Sequence, residues 1–401
     1  MRRAKILHLT TVHGPFDNRI FGMQAKSLAA AGYDVTLATT VDAAGSRDGV
    51  RLLPLGSIAR ASRRMDRIGR NVRALRVAAR AYDIVHVHDP ELLIVAGICA
   101  AFLGRHVVYD VHEYYDEKFS GDDVTAAWIP GFLLSAVRTA YGFAERTVLP
   151  RAAGVVVVSE RMLPRYQRLL PPERVAVVQN FPSLTREEVA AARATSRPLD
   201  VPYFVHTGGA SKDRSFDVLV ATAEKLRTPI VNLGAIELEE YPTAQRRALL
   251  ERAQAAGVIM PGSVPHVEAV RWIAHADAGY LPLANSENNR RGQPRKLFEY
   301  MLFGLPVVAS DVGNIGNIVR EHGVGVTVPP HDPLEHARAL EALTADAGLR
   351  MHYARKARAA APSFSFATQL PNLIDLYERI LAREDERGER RHRRRHLRAV
   401  S

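Results

Sequence analysis

Pro294-Arg-Lys-Leu-Phe-Glu-Tyr-Met-Leu-Phe-Gly-Leu-Pro-Val-Val-Ala-Ser-Asp311 passes from a polar loop through a helix into a buried strand. Lys296 to Phe303 reads as a short helix, Gly304 as a residue able to take a left-handed C-terminal cap, and Pro306 stands where the helix can no longer continue. Val307, Val308 and Ala309 then read as a strand. Glu299 lies one turn into a helix whose start faces an open loop. A carboxylate so placed can accept both hydroxyls of a ribose, as carboxylates do in α/β nucleotide sites.

The rest of the chain repeats the alternation. Lys5 to Thr10 reads as a parallel strand, a helix opens at Asp17 or Asn18 and ends at Gly32, and Tyr33 to Thr39 is a second strand. Tyr82 to Pro90 and Arg105 to Glu113 are further strands. From Tyr203 the order restarts as strand, glycine-rich loop, helix and strand. The fold class is therefore α/β, doubly wound, and 401 residues are too many for one ordinary core.

The string KLFEYMLFGLPVVASD resembles the donor-nucleotide motif of the retaining GT-B glycosyltransferases of family 4, the glycosyl transferases group 1. The opening also resembles one branch of that family: VHGPFDNRIF stands close to HPPFDTRIF, and the helix ends in an alanine-glycine pair. The resemblance implies two Rossmann-like domains facing across a cleft. Residues 1–182 would form the acceptor-side domain, 183–202 a linker and 203–365 the nucleotide-sugar-binding domain. The last helix, about 366–383, would pack back on the first domain, and 384–401 would be a basic disordered tail from which a fold is not expected.

Composition narrows the partners. The chain carries 47% hydrophobic and 24% charged residues, as a globular protein does, and no apolar run approaches a membrane span. No secretory leader is evident at the start, so the expected location is the cytoplasm, with peripheral attachment to the inner membrane face as the second reading. The net charge of +11 is concentrated in two stretches. Residues 58–80 set eight arginines against Asp66 alone, and 387–401 set seven against Glu389 alone, which leaves the remainder nearly neutral. Such patches attract anionic lipid, a phosphate-bearing acceptor or nucleic acid. Nucleic acid is not expected, because no aromatic residues interleave with the basic ones as stacking platforms. The stretch 58–80 would be an amphipathic helix with Ile58, Ala61, Met65, Ile68, Val72, Leu75 and Ala79 on its apolar stripe and Arg60, Arg63, Arg64, Arg67 and Arg70 on another face. That stripe either packs on its own sheet or leaves the arginines on anionic lipid. Trp128, Ile129, Phe132 and Leu133 are a further candidate anchor, against ordinary core packing.

Candidate site residues follow from strand ends and from the resemblance. His86 and His88 share one face of their strand; no third ligand at a fixed spacing accompanies them, so no metal is expected. His112 ends the next strand at the carboxyl edge where open α/β sheets place ligands. The resemblance puts it beside the donor sugar and the reacting phosphate. It also makes His13, Gly14, Asp17 and Arg19 acceptor-side candidates, with His88 lining the same region; Asp17 reads equally well as a helix cap.

In HTGGASKDRSFDVLV, Gly208 and Gly209 stand where the family has its diphosphate loop. Arg214 fits the second basic position of that loop, Lys212 is the candidate for the first because Ala210 stands where arginine is often seen, and Ser215 replaces a usual glycine. Gly262 would lie near the base. Many relatives carry a glutamate eight positions before Glu299, where this chain has Arg291; a branch instead has P-x-K-x-x-E, which Pro294, Lys296 and Glu299 fit.

The function implied is transfer of a sugar from a nucleotide diphosphate sugar to an acceptor hydroxyl, with retention at the anomeric carbon and no metal. The acceptor would be a glycan, a lipid-linked molecule or a small molecule, in cell-envelope polysaccharide, glycolipid or natural-product synthesis. Lys296 and Arg214 would stabilise the departing diphosphate, and His112 would orient the sugar. No resident cofactor is expected, the nucleotide sugar being a co-substrate. The rival is a catalytically silent GT-B relative that binds nucleotide sugar or a partner. An epimerase on the same fold is a further alternative, whereas a dehydrogenase lacks its Gly-x-Gly-x-x-Gly after the first strand.

Overall fold

The computed structural model describes residues 3–56, 64–112, 131–293 and 295–383. The chain divides into two compact units. One runs to Gln179 and takes in the chain again from Phe366; the other is Asn180–Ser365.

The first unit holds β1 (Lys5–Leu9), β2 (Asp34–Thr39), β3 (Gly45–Arg47), β4 (Val50–Pro54), β5 (Ile84–Val87), β6 (His106–Val111), β7 (Gly154–Val157) and β8 (Val175–Val177). Their order across the sheet is β3-β4-β2-β1-β5-β6-β7-β8, parallel except for the hairpin partner β3. The sequence turns back at β1, whose Ile6 and His8 pair with Ile84 and His86 of β5. That reversal is the topological switch point where ligands bind outside the carboxyl ends of the strands. Runs such as Gly154–Val157 are apolar throughout because helices cover both faces. Residues 370–383 are helical and set Leu373, Leu376, Tyr377 and Ile380 into the core with Ile6, Ile84, Val108 and Val156.

The second unit repeats the plan with β9 (Phe204–Thr207), β10 (Ile230–Leu233), β11 (Ile259–Gly262), β12 (Ala278–Leu281), β13 (Val307–Ser310) and β14 (Gly325–Val328). All six are parallel, in the order β11-β10-β9-β12-β13-β14, with the switch point between β9 and β12. The opening stretch of sequence becomes the helix Arg295–Leu302, buried through Leu297, Phe298, Tyr300 and Met301, followed by Gly304 at φ +57° and β13.

Two local expectations are corrected. Residues 183–202 contain the helix Arg186–Arg193, closed at its start by a reciprocal pair of bonds between Thr185 and Glu188. This helix buries Val189 and Ala192 against the helix His266–His275, so the segment is packed into the second unit.

The arginine-rich helix, described from Arg64, is turned differently from its apolar stripe. Ile68 and Val72 are 58% and 45% exposed, whereas Arg70, Ala74, Val77 and Ala78 are buried. The small alanines allow close approach to the core and carry Arg70 in with them. Residues 57–63 and the side chains of 64–67 lie outside the described residues, as do Glu113, Trp128, Ile129, Pro294, the side chains of Phe132 and Leu133, and 384–401.

The helices after Asp332 are capped by hydrogen bonds. Asp332 accepts from Leu334 and Glu335, and Asp346 from Leu349.

Candidate functional site

At the carboxyl end of β9 the backbone turns through Gly208 and Gly209, and charged side chains crowd it. A Cβ built on Gly208 would stand 2.3 Å from Lys296 Nζ and 3.1 Å from His206 Nε2. One built on Gly209 would meet Glu237 at 2.5 Å and Arg214 at 3.0 Å. The twin glycines are thus required by the close approach of Lys296, Glu237 and Arg214, and the two cations among them are groups that can face an anionic diphosphate.

Lys296 is part-buried on the first turn of the helix Arg295–Leu302; loss of hydration, then Arg214, holds its ammonium pKa well below the usual lysine value, against a smaller opposing pull from Glu299. Glu299 is buried one turn further on, its Oε1 2.7 Å from Arg295. His206, fully enclosed on β9, donates from Nδ1 to the Tyr280 carbonyl at 3.0 Å, because a carbonyl can only accept. Its Nε2 is left with a bare lone pair facing the glycines. Burial, then Lys296, lowers its pKa well below the usual histidine range, so it stays neutral. Sequence reading passed over His206, since a lone histidine in a strand gives no signal until its neighbours are placed.

The loop after the glycines is fixed from several sides. Asp213 accepts from Ser286 Oγ at 2.5 Å and from Asn289, and its carbonyl accepts from Ala284. Ser215, which replaces a usual glycine, is buried in the left-handed conformation at φ +43°, ψ +50°. Ala210 is buried and paired with the backbone of Ala235, while Lys212 is exposed to solvent. Gly262, at φ +80°, ends β11 with open space where a side chain would stand. Arg291 pairs with Glu287 at 2.6 Å in its own helix.

The first unit gathers a second group at its switch point. Asp89, buried after β5, accepts from the backbone N–H of Thr11 and Val12, from Thr10 Oγ1 and from His13 Nδ1 at 2.9 Å. Burial alone would raise its pKa; the bonds from His13, Thr11 and Thr10 outweigh this and hold it lowered. Thr39 and Thr40 bond the His13 carbonyl, so the loop bearing His13 and Gly14 is tied to both neighbouring strands.

Asp110 on β6 is the hub. Its carboxylate accepts from Arg19 at 2.7 and 3.1 Å and from Gln24 at 2.6 Å, with His88 Nδ1 at 3.3 Å and His112 Nε2 at 3.4 Å. Burial pushes its pKa up, yet Arg19 foremost, then His112, keeps it well below the usual carboxylate range. His88 is pushed down to about 3, mainly by burial.

The acceptor-side candidates therefore separate. His13, His88 and His112 come together, with the His13 and His112 ring centroids 5.4 Å apart. Arg19 is only 7% exposed and turns inward to Asp110 and the Val178 carbonyl. Asp17 caps the helical turn Asn18–Ala25 by accepting from Arg19 N and Ile20 N, both at 2.9 Å. Asp110 was legible in one respect: it shares the two-residue period of His112 along β6.

The family model described as "Glycosyl transferase 4-like domain" matches residues 18–180, and the one described as "Glycosyl transferases group 1" matches 201–346. The chain belongs to the group 1 glycosyltransferases. Among curated members, the D-inositol 3-phosphate glycosyltransferase of Xylanimonas cellulosilytica is 29% identical over 209 residues, 51% of this chain and 49% of that protein. The chain thus spans about half the length of this curated relative. Among solved glycosyltransferase structures, the sucrose-phosphate synthase of Thermosynechococcus elongatus matches with a TM-score of 0.70 at 18% identity, covering 95% of this chain and 100% of that one. Anabaena Alr3699/HepE, solved in complex with UDP-glucose, matches at 0.65 and 15% identity, covering 95% and 99%. These likenesses show the fold, which is GT-B. Among the described residues no helix is long and apolar enough to cross a membrane.

Proposed function

We propose that the chain transfers a sugar from a nucleotide diphosphate sugar to an acceptor hydroxyl with retention of anomeric configuration. The observation that carries this is the convergence of Lys296 and Arg214 on Gly208 and Gly209, with Glu299 one turn beyond Lys296. In this reading the glycine backbone and the two cations take the diphosphate, and Glu299 takes the ribose in exchange for part of its bond to Arg295. As the bond from the anomeric carbon to the phosphate oxygen breaks, the cations stabilise the charge that grows on the diphosphate. The acceptor oxygen bonds to the same face, and its proton leaves with the diphosphate. His112 keeps the orienting role that the family resemblance gives it. Turnover needs no metal, a reading supported by the absence of an aspartate-x-aspartate motif at a strand end. A structural neighbour that holds UDP-glucose supports the class of donor. Glycan, glycolipid and small-molecule acceptors all fit this chemistry, in the cytoplasm or at the inner membrane face.

A second reading, a silent relative that binds the donor without turnover, is favoured by Arg291 in place of a carboxylate and by Ala210. Thermal melting with uridine, guanosine, thymidine and adenosine diphosphates, with Glu299→Ala as control, tests the pocket. A ligand at 100 times its Kd adds about 2.7 kcal/mol of stability. Stabilisation of the parent by one nucleotide, much reduced in the variant, is the expected result; none with any nucleotide would overturn the reading. Release of nucleotide diphosphate with acceptor then separates turnover from silent binding, and the anomeric proton of the product reports retention.

A further inference from the structure

Two sets of imidazoles meet at the carboxyl ends of β1, β5 and β6, and they differ in geometry. His8, His86 and His88 are layered, with centroids 4.6 to 5.1 Å apart and planes inclined by 16 to 33°. Lone pairs in nearly parallel planes do not converge on a point. The second set does converge. His88 Nδ1 lies 3.2 Å from His112 Nε2 and 3.3 Å from Asp110 Oδ2, and that oxygen lies 3.4 Å from His112 Nε2. The two rings are inclined by 58°.

The three atoms form a nearly equilateral triangle. Zinc bonds of about 2.0–2.1 Å at tetrahedral angles put neighbouring ligands about 3.3–3.4 Å apart. Octahedral coordination at about 2.1 Å would bring adjacent ligands to about 3.0 Å.

We propose that His88 Nδ1, Asp110 Oδ2 and His112 Nε2 form a tetrahedral binding site for a zinc-like divalent ion, with the fourth position open beside His112. The side chain of His112 is 11% exposed, while the other two ligands are fully enclosed, so the ion enters from the His112 side. The His88 Nδ1 to His112 Nε2 edge is of hydrogen-bond length, so one of these nitrogens accepts from the other and leaves a lone pair within 3.4 Å of Asp110 Oδ2, which already accepts from Gln24 and Arg19. His88 Nε2 is 2.8 Å from His8 Nδ1. When that contact carries the single N–H of a neutral His88, Nδ1 presents a lone pair toward the carboxylate, and a cation between them removes the conflict. His8 then orients His88, and Arg19 and Gln24 orient the carboxylate, as outer partners of a metal site do. A bound ion would occupy His112 Nε2. Inhibition of transfer by zinc follows, and this corollary alone rests on the proposed function.

The test uses the whole chain, freed of metal by chelation and titrated with zinc chloride by calorimetry, then with cobalt(II) followed by visible absorption. No nucleotide is added, so the outcome is independent of the sugar-transfer reading. One ion per chain, a four-coordinate cobalt spectrum, and at least tenfold weaker binding in His112→Gln and in His88→Gln are expected. His112→Gln, at the rim, leaves the Arg19 and Asp110 pair intact, which an unchanged melting temperature would verify. No binding, a six-coordinate spectrum, or affinity unchanged in both variants would overturn the proposal.

Discussion

Gly208 and Lys296 fit each other: the Lys296 ammonium nitrogen lies 2.3 Å from the point where a Cβ of residue 208 would stand. The nearest obstacle to an alanine there is the end of a flexible side chain, and the enclosed His206 ring, 3.1 Å away, must give by a few tenths of an ångström, so Gly208→Ala should fold with a modest drop in melting temperature. Its cost falls on the cation, which must swing away from the loop. A loss of nucleotide diphosphate affinity of at least tenfold is expected by calorimetry. Gly234→Ala supplies the contrast, because its Cβ would meet the backbone of Gly208 at 2.3 Å. Backbone cannot swing aside, and overpacking of this kind costs about 1–3 kcal/mol or more. A Gly208→Ala variant that binds nucleotide as well as the parent would remove Lys296 from the diphosphate contacts.

Ser215 is held in a conformation that costs a residue with a Cβ about 1–2 kcal/mol. Ser215→Gly relieves that strain and adds back some freedom to the unfolded chain. A net gain of about 0.5–1 kcal/mol in urea denaturation is expected, with nucleotide affinity unchanged. Destabilisation instead would mean that the buried Ser215 hydroxyl contributes more than the strain removes.

The parts of this protein that could be read from its sequence are those fixed by short-range rules. The apolar run Val307 to Ala309 marked β13, and Gly304 with Pro306 marked the end of a helix. Asp17 was legible as a cap because capping is local. The family motifs located Gly208, Lys296 and Glu299, whose crowding the structure then displays. What escaped depends on rotation and on long-range pairing. The arginine-rich helix has two faces of similar period, and only packing selects the one with Arg70 and Ala74. Arg19 and Asp110 are 91 residues apart. Nothing near Arg19 shows that its charge is answered by a carboxylate two strands away. Arg70 illustrates the cost of such a rotation: its Nε and Nη1 are buried without a hydrogen-bond partner. Arg70→Met should therefore be neutral or stabilising by about 1–3 kcal/mol in urea denaturation. A marked loss of stability would mean that the guanidinium packs to more purpose than its bonds indicate.

The Arg19 and Asp110 pair makes the opposite prediction. Both side chains are enclosed, so truncation of one leaves the other charged and unpaired. Arg19→Leu should cost about 3–5 kcal/mol. Asp17→Ala, two residues earlier, should cost only about 1 kcal/mol through the lost cap. Urea midpoints with unchanged slopes would measure both. Equal losses would place Arg19 outside the network that supports Asp110. Arg19→Leu combined with Asp110→Leu should lose less than the sum of the two single variants, because the unpaired charge is gone.

His336 links acid sensitivity to the second unit. It is fully buried, its Nε2 donates to the Pro329 carbonyl at 3.0 Å, and its Nδ1 therefore accepts from the Tyr280 hydroxyl at 2.9 Å. Burial pushes its pKa down to about 4. Between this value and the ordinary value near 6.5 the unfolded chain takes up a proton that the folded chain refuses, so stability falls as pH falls across that window. Below about 4 both states are protonated and this contribution stops changing. The slope from this one group is about 1.4 kcal/mol per pH unit. His336→Leu removes the titration while leaving every other histidine in place, so the parent and variant curves should converge as pH drops from 6.5 to 4. Parallel curves across that window would show that His336 titrates alike in the folded and unfolded chains.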